Sequence, residues 1–299
     1  MNEKLFGVYL YFSSIPIIFS LILPILSMGI LCISFKRISN IRIRCWSLGL
    51  IFVSSLFLWL FIATSLILCY TFIRTNPSEL AIRDVFGSAI LIAMAGAVPL
   101  SLTLRVMSPK IVLGRVRGIH PANRNLERNF DTLARLMKVA TPELRVFSSN
   151  VPISFAVETS KPTVVISERL MSLLTKDEMK AVLAHELGHI KNSDTTLKSM
   201  ITAYRTALPF DPIIRIVEAA FHREREILAD ESAALATRKP LTLASALLKI
   251  HQAFPKNSLS SQGALSILGV DSTLTKRYPS ISDRINHMIW FARMKPTHA

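Results

Sequence analysis

Cysteine is scarce in this sequence and absent from its C-terminal two thirds. The three cysteines, Cys32, Cys45 and Cys69, all lie in or beside long apolar runs near the N-terminus. A disulfide framework and a cysteine-based zinc site are therefore excluded for residues 108–299. The same pattern fits a reducing compartment for that part of the chain.

Acidic residues are also few. The 20 Asp and Glu are outnumbered by 35 Lys and Arg, which gives a net charge of +15. Residues 108–299 alone carry a net charge of +10, an excess that suits a domain held against an anionic lipid surface. These basic residues are scattered and no aromatic–basic platform accompanies them, so we expect no nucleic-acid partner.

Long apolar runs are confined to the first third of the chain. Since a helix needs about 20 residues to cross the hydrocarbon core, we predict three membrane spans, at residues 5–34, 46–73 and 87–107. The first run is too long for the apolar core of a signal peptide, so we interpret it as an uncleaved anchor. The sequence thus predicts a membrane domain over residues 1–107 and a soluble domain over residues 108–299.

Charges in the loops predict the orientation of these spans. Basic residues gather between the first two runs (Lys36, Arg37, Arg42 and Arg44) and again after the third run. Cytoplasmic loops carry such an excess of Lys and Arg. We therefore predict a multi-pass protein of the cell membrane, with its N-terminus outside and residues 108–299 in the cytoplasm.

Residues 185–189 read His-Glu-Leu-Gly-His, on a predicted helix from Thr175 to about residue 192. Two histidines four residues apart share one helix face, so His185 and His189 could bind one Zn²⁺. Glu186 is then placed as a base for the attacking water. The alternative is a surface helix with two solvated histidines. The apolar neighbours of the motif disfavour that alternative, because a buried polar pair needs a partner.

The third zinc ligand stays open among several acidic residues. A third histidine of the extended H-E-x-x-H-x-x-G-x-x-H type is excluded, because Thr195 occupies its position. Glu226 and Asp230 share a helix face, so one could bind the metal while the other hydrogen-bonds a ligand histidine. From spacing alone Glu226 is the best of six candidates, namely Asp211, Glu218, Glu224, Glu226, Asp230 and Glu231.

Three short strand-like runs precede the motif, at residues 144–147, 153–157 and 163–166, and predict a small antiparallel sheet. The middle run begins Ile153, Ser154, Phe155, Ala156. One reading is that the sheet only packs the core. The other is that this run also pairs with an extended substrate along an exposed edge.

Residues 182–194 (VLAHELGHIKNSD), 225–230 (REILAD) and 240–250 resemble the HtpX/Ste24 family of membrane-bound zinc metalloproteases, and HtpX-type enzymes most closely. The resemblance implies a mainly α membrane protein, with N-terminal transmembrane helices and a zincin-like α+β metalloprotease domain. It implies zinc bound by His185, His189 and Glu226. It also implies Glu186 as general base and Asp230 as hydrogen-bond partner of a ligand.

Three features depart from the family pattern. Ile153-Ser154-Phe155 stands where the family usually has Asn-Ala-Phe, and Tyr278 stands where its C-terminal block has histidine. We expect Tyr278 or Arg284, six residues later, to stabilise the oxyanion. HtpX-type enzymes also usually have spans on both sides of the zinc motif, whereas no convincing span follows it here.

These patterns predict a zinc-dependent endopeptidase at the cytoplasmic face of the membrane. It would cleave membrane or misfolded proteins in protein quality control. Its partners would be a protein or peptide substrate and the lipid bilayer, and a homo-oligomer is left open. The alternative is a zinc-site membrane sensor or adaptor with weak or no proteolysis, suggested by the departures at Ser154 and Tyr278.

Overall fold

The structure is a computed structural model that describes Gly29 and residues 41–72, 77–116, 118–157, 161–192, 194–209, 211–253 and 279–294. The first predicted span, at 5–34, lies outside these residues apart from Gly29, and so does Tyr278. The described helices are α1 (Ile41–Phe72), α2 (Pro77–Arg115), α3 (Arg124–Leu136), α4 (Glu168–Leu173), α5 (Lys176–Lys191), α6 (Asp194–Ala207), α7 (Pro212–Thr237), α8 (Pro240–Ala253) and α9 (Ile281–Met294). The strands are β1 (Ile119–Pro121), β2 (Glu143–Phe147), β3 (Ser154–Val157) and β4 (Thr163–Ser167).

The chain divides into two units. The first consists of residues 1–104 and 198–218, and the second of residues 105–197 and 219–299. Residues 198–218 belong to the first unit although they follow the zinc motif in sequence. The sequence-based boundary at residue 107 stays a prediction.

The first unit contains the membrane candidate. Within the described part of the chain, α1 is the one helix long and apolar enough to cross a membrane, over Ile43–Thr64. This stretch overlaps the second predicted span, at residues 46–73. The third predicted span corresponds to a shorter apolar stretch, Ser88–Leu104, which runs through Pro99 without a break in α2.

A buried carboxylate joins α1 to the segment that follows α6. Ser55 Oγ and Trp59 Nε1 donate to Oδ2 of Asp211 at 3.0 and 2.8 Å. The backbone N–H of Ile213 donates to the other oxygen at 2.7 Å, in the first turn of α7. Asp211 is fully buried, so these bonds offset the cost of removing its charge from water.

The sheet of the second unit is mixed, so the antiparallel prediction was wrong. The strand order is β1-β2-β4-β3, and β2 pairs with β4 in parallel while the other two pairs are antiparallel. β3 follows β2 in the chain but lies at the edge of the sheet, where it pairs with β4 as an antiparallel hairpin. β4 therefore lies between β2 and β3, and it runs in the same direction as β2. β1 reads Ile-His-Pro and carries no strand signal, and its proline is tolerated because the strand lies at an edge.

Both faces of the sheet are covered within the second unit. One face, with Val146, Val164 and Ile166, packs in the main core with α3, α5 and α8. The other face, with Phe155 and Val165, packs against apolar residues around the end of α2. All five residues of β4 are therefore buried, as expected for a central strand covered on both sides.

Candidate metal centre

The helix α5 begins where the sequence predicts. Thr175 Oγ1 accepts the backbone N–H of Glu178, and the Glu178 side chain accepts the backbone N–H of Thr175. This reciprocal cap fixes the first turn and hence the direction in which each later side chain points. His185 and Glu186 are 1% and 3% exposed, whereas the side chain of His189 is 23% exposed at the rim.

A close contact between α5 and α7 brings the acidic residues to the histidines. A Cβ on Gly188 would lie 3.2 Å from Cα and 3.3 Å from the carbonyl oxygen of Ala229. A larger residue at this position would push the two helix backbones apart by a few tenths of an ångström. Glu226 and Asp230 lie on the same face of α7 as Ala229, so the contact directs both carboxylates at the histidine pair.

Three of the predicted residues form a cluster of possible metal ligands. Nε2 of His185 and Nε2 of His189 are 3.1 Å apart. The two oxygens of Glu226 lie 3.6 Å from Nε2 of His185 and 3.7 Å from Nε2 of His189. Two ring nitrogens and one carboxylate thus converge on a single point.

The chemistry of this donor set fits zinc. A tetrahedral zinc ion with bonds of about 2.0–2.1 Å holds its ligand atoms about 3.3–3.4 Å apart, close to the observed spacings. Among the described residues, Oε2 of Glu226 is buried without a hydrogen-bond partner, apart from an ion-pair contact at 3.2 Å with Nη1 of Arg284. A cation shared with the histidines would satisfy this oxygen. His185, His189 and Glu226 can therefore hold a zinc ion.

Asp230 orients the first histidine. Its Oδ1 lies 2.8 Å from Nδ1 of His185, and both side chains are almost fully buried. When Nδ1 donates to this carboxylate, the lone pair of Nε2 is left to face the cluster. The spacing of Glu226 and Asp230 predicts such a contact between one of the two carboxylates and a histidine, and metal binding by the other stays a prediction.

Arg284 on α9 holds both carboxylates. Its Nε and Nη2 donate to the two oxygens of Asp230 at 2.7 and 2.6 Å, and its Nη1 contacts Glu226. Burial alone would raise the pKa of Asp230, but the guanidinium holds that pKa well below its usual range. Burial likewise opposes the charge of Arg284, and Asp230 nevertheless raises its pKa. The pair is therefore ionised and aligns both acidic residues.

Glu186, the general base predicted from the sequence, has a hydrogen-bond partner that the histidine motif does not predict. Ser154 on β3 donates its hydroxyl to Oε1 of Glu186 at 2.6 Å, and Ser154 is 1% exposed. The signal was a polar residue within the apolar run Ile-Ser-Phe-Ala-Val, on the face of the strand that meets α5. A buried hydroxyl there needs an acceptor.

The remaining acidic candidates lie away from the cluster. Asp211 binds α1, Glu218 pairs with Arg205 at 3.0 Å, and Glu231 pairs with His287 at 3.0 Å. Glu224 is buried on α7. Of the six acidic residues, the structure therefore brings Glu226 and Asp230 to the histidines.

The chain matches Peptidase family M48 over residues 121–210, a stretch that contains β2 to β4 and the histidine pair. It is 26% identical over 245 residues to a protease HtpX homolog of Campylobacter concisus. It is also 31% identical over 163 residues to a protease HtpX homolog of Pyrococcus furiosus. The chain is therefore similar to protease HtpX homologs and to Peptidase family M48 in the part that carries the histidine pair. The resemblance predicted from the sequence is confirmed.

The matches differ in extent. The Campylobacter alignment covers 66% of this chain and 85% of the relative, whereas the Pyrococcus alignment covers 43% and 56%. This chain therefore spans about half the length of the archaeal relative. The crystal structure of S. mikatae Ste24p is similar with a TM-score of 0.42 at 16% identity, over 84% of this chain and 66% of that chain.

Proposed function

We propose that this chain belongs to the HtpX/Ste24 family and is a membrane-anchored, zinc-dependent endopeptidase. The observation that carries the proposal is the convergence of His185, His189 and Glu226 directly beside Glu186. Two histidines and one carboxylate form the ligand set of many catalytic zinc sites, which keep one position open for water or substrate. Structural zinc sites, in contrast, are closed by four protein ligands.

A zinc ion held by these residues would supply Lewis-acid chemistry, polarising the scissile carbonyl and acidifying the attacking water. Glu186 accepts the proton of that water with its free oxygen and later returns it to the leaving amine. Asp230 keeps His185 in the tautomer that binds metal. Arg284 keeps Asp230 and Glu226 aligned, which leaves Tyr278 as the candidate to stabilise the oxyanion.

β3 is proposed as the strand that receives the substrate. It is the last strand of the sheet in the order β1-β2-β4-β3, and it packs directly against α5. Ala156 is its partly exposed member, and Ile153, just before the strand, is also partly exposed, whereas Ser154 and Phe155 are buried. An extended peptide added at this edge would be bound chiefly through its backbone, so selectivity for particular side chains would be low.

The proposed setting is the cytoplasmic face of the cell membrane, where the enzyme would act on membrane or misfolded proteins in quality control. The apolar stretch Ile43–Thr64 and the basic residues of the loops support it. A membrane-anchored protease that binds its substrate through the backbone would select substrates by unfolding and by location more than by sequence.

Cleavage of dye-labelled casein by the purified full chain tests the proposal. The wild type should cleave casein, o-phenanthroline should block cleavage, and Glu186→Gln should lower kcat by at least about 100-fold. Glu127→Gln, an exposed change on α3, is the matched control and should leave the rate unchanged. If Glu186→Gln cleaves casein as fast as the wild type, the mechanism is wrong. If the wild type binds zinc and does not cleave, the sensor alternative takes its place.

A further inference from the structure

Glu186 has one hydrogen bond within the described part of the chain, and it comes from Ser154. The hydroxyl Oγ lies 2.6 Å from Oε1 of Glu186, a short distance for an O–H···O hydrogen bond. Neither residue is more than 3% exposed, so water does not compete for the bond. No hydrogen bond to the other carboxylate oxygen is present among the described residues, and the buried charge of Arg284 interacts with the same carboxylate.

The position of Ser154 in the fold makes this contact rigid. Ser154 lies opposite Ile166 of β4, and the preceding residue Ile153 is bonded to Ser167 through both its N–H and its carbonyl, each at 2.9 Å. The hydroxyl is therefore delivered by a strand that is itself fixed on one side. Glu186 lies in the middle of α5 and cannot move independently of the helix.

We infer that Ser154 is a positioning residue for Glu186. Its hydroxyl binds one carboxylate oxygen of Glu186 and leaves the other free to accept the proton. This inference rests on the proposed function. A free carboxylate rotates about its last side-chain bond, and only some of its orientations aim an oxygen at the attacking water. A hydrogen bond to one oxygen restricts that rotation. We therefore expect the bond to raise the rate of the chemical step without changing substrate binding.

A structural explanation of the same contact is that Ser154 only satisfies a buried carboxylate. That explanation predicts a loss of stability without a selective loss of kcat. Ser154 acts only through Glu186 and does not itself take part in the reaction. The expected effect is therefore a loss of about tenfold, at the lower end of the range for residues that orient a catalytic group.

Ser154→Ala, Ser154→Thr and the exposed control Ser172→Ala would be compared in the purified full chain with dye-labelled casein. We expect Ser154→Ala to lower kcat about tenfold, with KM and zinc content unchanged. Ser154→Thr keeps the hydroxyl and should retain most of kcat, and Ser172→Ala should match the wild type. An unchanged or raised kcat in Ser154→Ala would overturn the inference, and so would an equal loss in Ser154→Thr with its fold and zinc content intact.

A second measurement separates this inference from the proposed function. Melting temperatures of the wild type, Ser154→Ala, Glu186→Ala and the double variant form a cycle that requires no activity. A bond between the two side chains predicts non-additive shifts, and additive shifts would overturn the inference. If the wild type shows no chelator-sensitive cleavage, the proposed function fails while the cycle still tests the bond.

Discussion

Arg284 binds both oxygens of Asp230 in a fully buried ion pair, with donor–acceptor distances of 2.7 and 2.6 Å. The pair connects α9, near the C-terminus of the chain, to the histidine motif more than ninety residues earlier. Through Asp230 it orients His185, and through Nη1 it contacts Glu226. The geometry of two of the three proposed zinc ligands thus depends on one arginine.

Arg284→Lys should weaken zinc binding. Lysine keeps the positive charge but cannot form the two parallel bonds to Asp230, so His185 and Glu226 lose their alignment. We expect about a 10- to 100-fold loss in zinc affinity, measured by competition with a chelating dye. Arg293→Lys, an exposed change in the last turn of the same helix, should bind zinc like the wild type. Equal zinc affinities for Arg284→Lys and the wild type would show that the two parallel bonds from Arg284 to Asp230 are not needed for zinc binding.

Gly188→Ala should destabilise the protein although alanine favours a helix. Helix propensity alone would give a gain of about 1 kcal/mol. The new Cβ, however, would meet the backbone of Ala229 at 3.2–3.3 Å, and backbone cannot be rearranged cheaply. We therefore expect a lower melting temperature and weaker zinc binding, because α7 is pushed away from α5.

Gly114→Ala is the matched control for that change. Gly114 also lies in a helix, and nothing stands within 4 Å of its added Cβ. Its melting temperature should equal or exceed that of the wild type. If Gly188→Ala melted as high as Gly114→Ala and bound zinc normally, the close approach of α5 and α7 would not position the ligands.

The cap of α5 predicts a dependence of stability on pH. Burial alone would raise the pKa of Glu178, but hydrogen bonds from Lys249, Ser245 and the backbone of Thr175 lower it to about 2. A carboxyl whose folded pKa is depressed stabilises the fold above its unfolded pKa, near 4.5. That contribution is lost as the pH falls from there towards 2.

Glu178→Gln tests this dependence. At pH 6 we expect it to lower the free energy of unfolding by about 2 kcal/mol, because Lys249 loses its charged partner. The difference from the wild type should shrink between pH 5 and pH 3, followed by thermal unfolding in detergent. Glu127→Gln, an exposed change on α3, should show a small difference at every pH. If the stability difference between Glu178→Gln and the wild type stayed constant with pH, it would contradict the lowered pKa of Glu178.

Local patterns in the sequence predict much of the second unit. The start of the helix at Thr175 and the helix that carries the histidine pair are each specified within a few residues of chain, and both agree with the structure. The parallel pairing of β2 with β4 could not be predicted in this way. Alternation of apolar residues predicts that a segment is a strand, but it does not predict which strands lie beside it or in which direction they run.

The same limit applies to the site. Spacing favours Glu226 among six acidic residues. Its position beside the histidines depends on the contact of Gly188 with Ala229, and the sequence does not predict that these two helices pack together. The hydroxyl of Ser154 and the fork of Arg284 also reach the motif from distant positions in the chain. What the sequence does show at Ser154 is a polar residue in an apolar strand.

We propose that Glu226 completes a zinc site with His185 and His189. The zinc content of the purified full chain, measured by atomic absorption after dialysis against buffered zinc, tests this proposal. We expect about one zinc per chain for the wild type and for the control Glu231→Gln, and a large loss for Glu226→Gln. Wild-type zinc content in Glu226→Gln would contradict it.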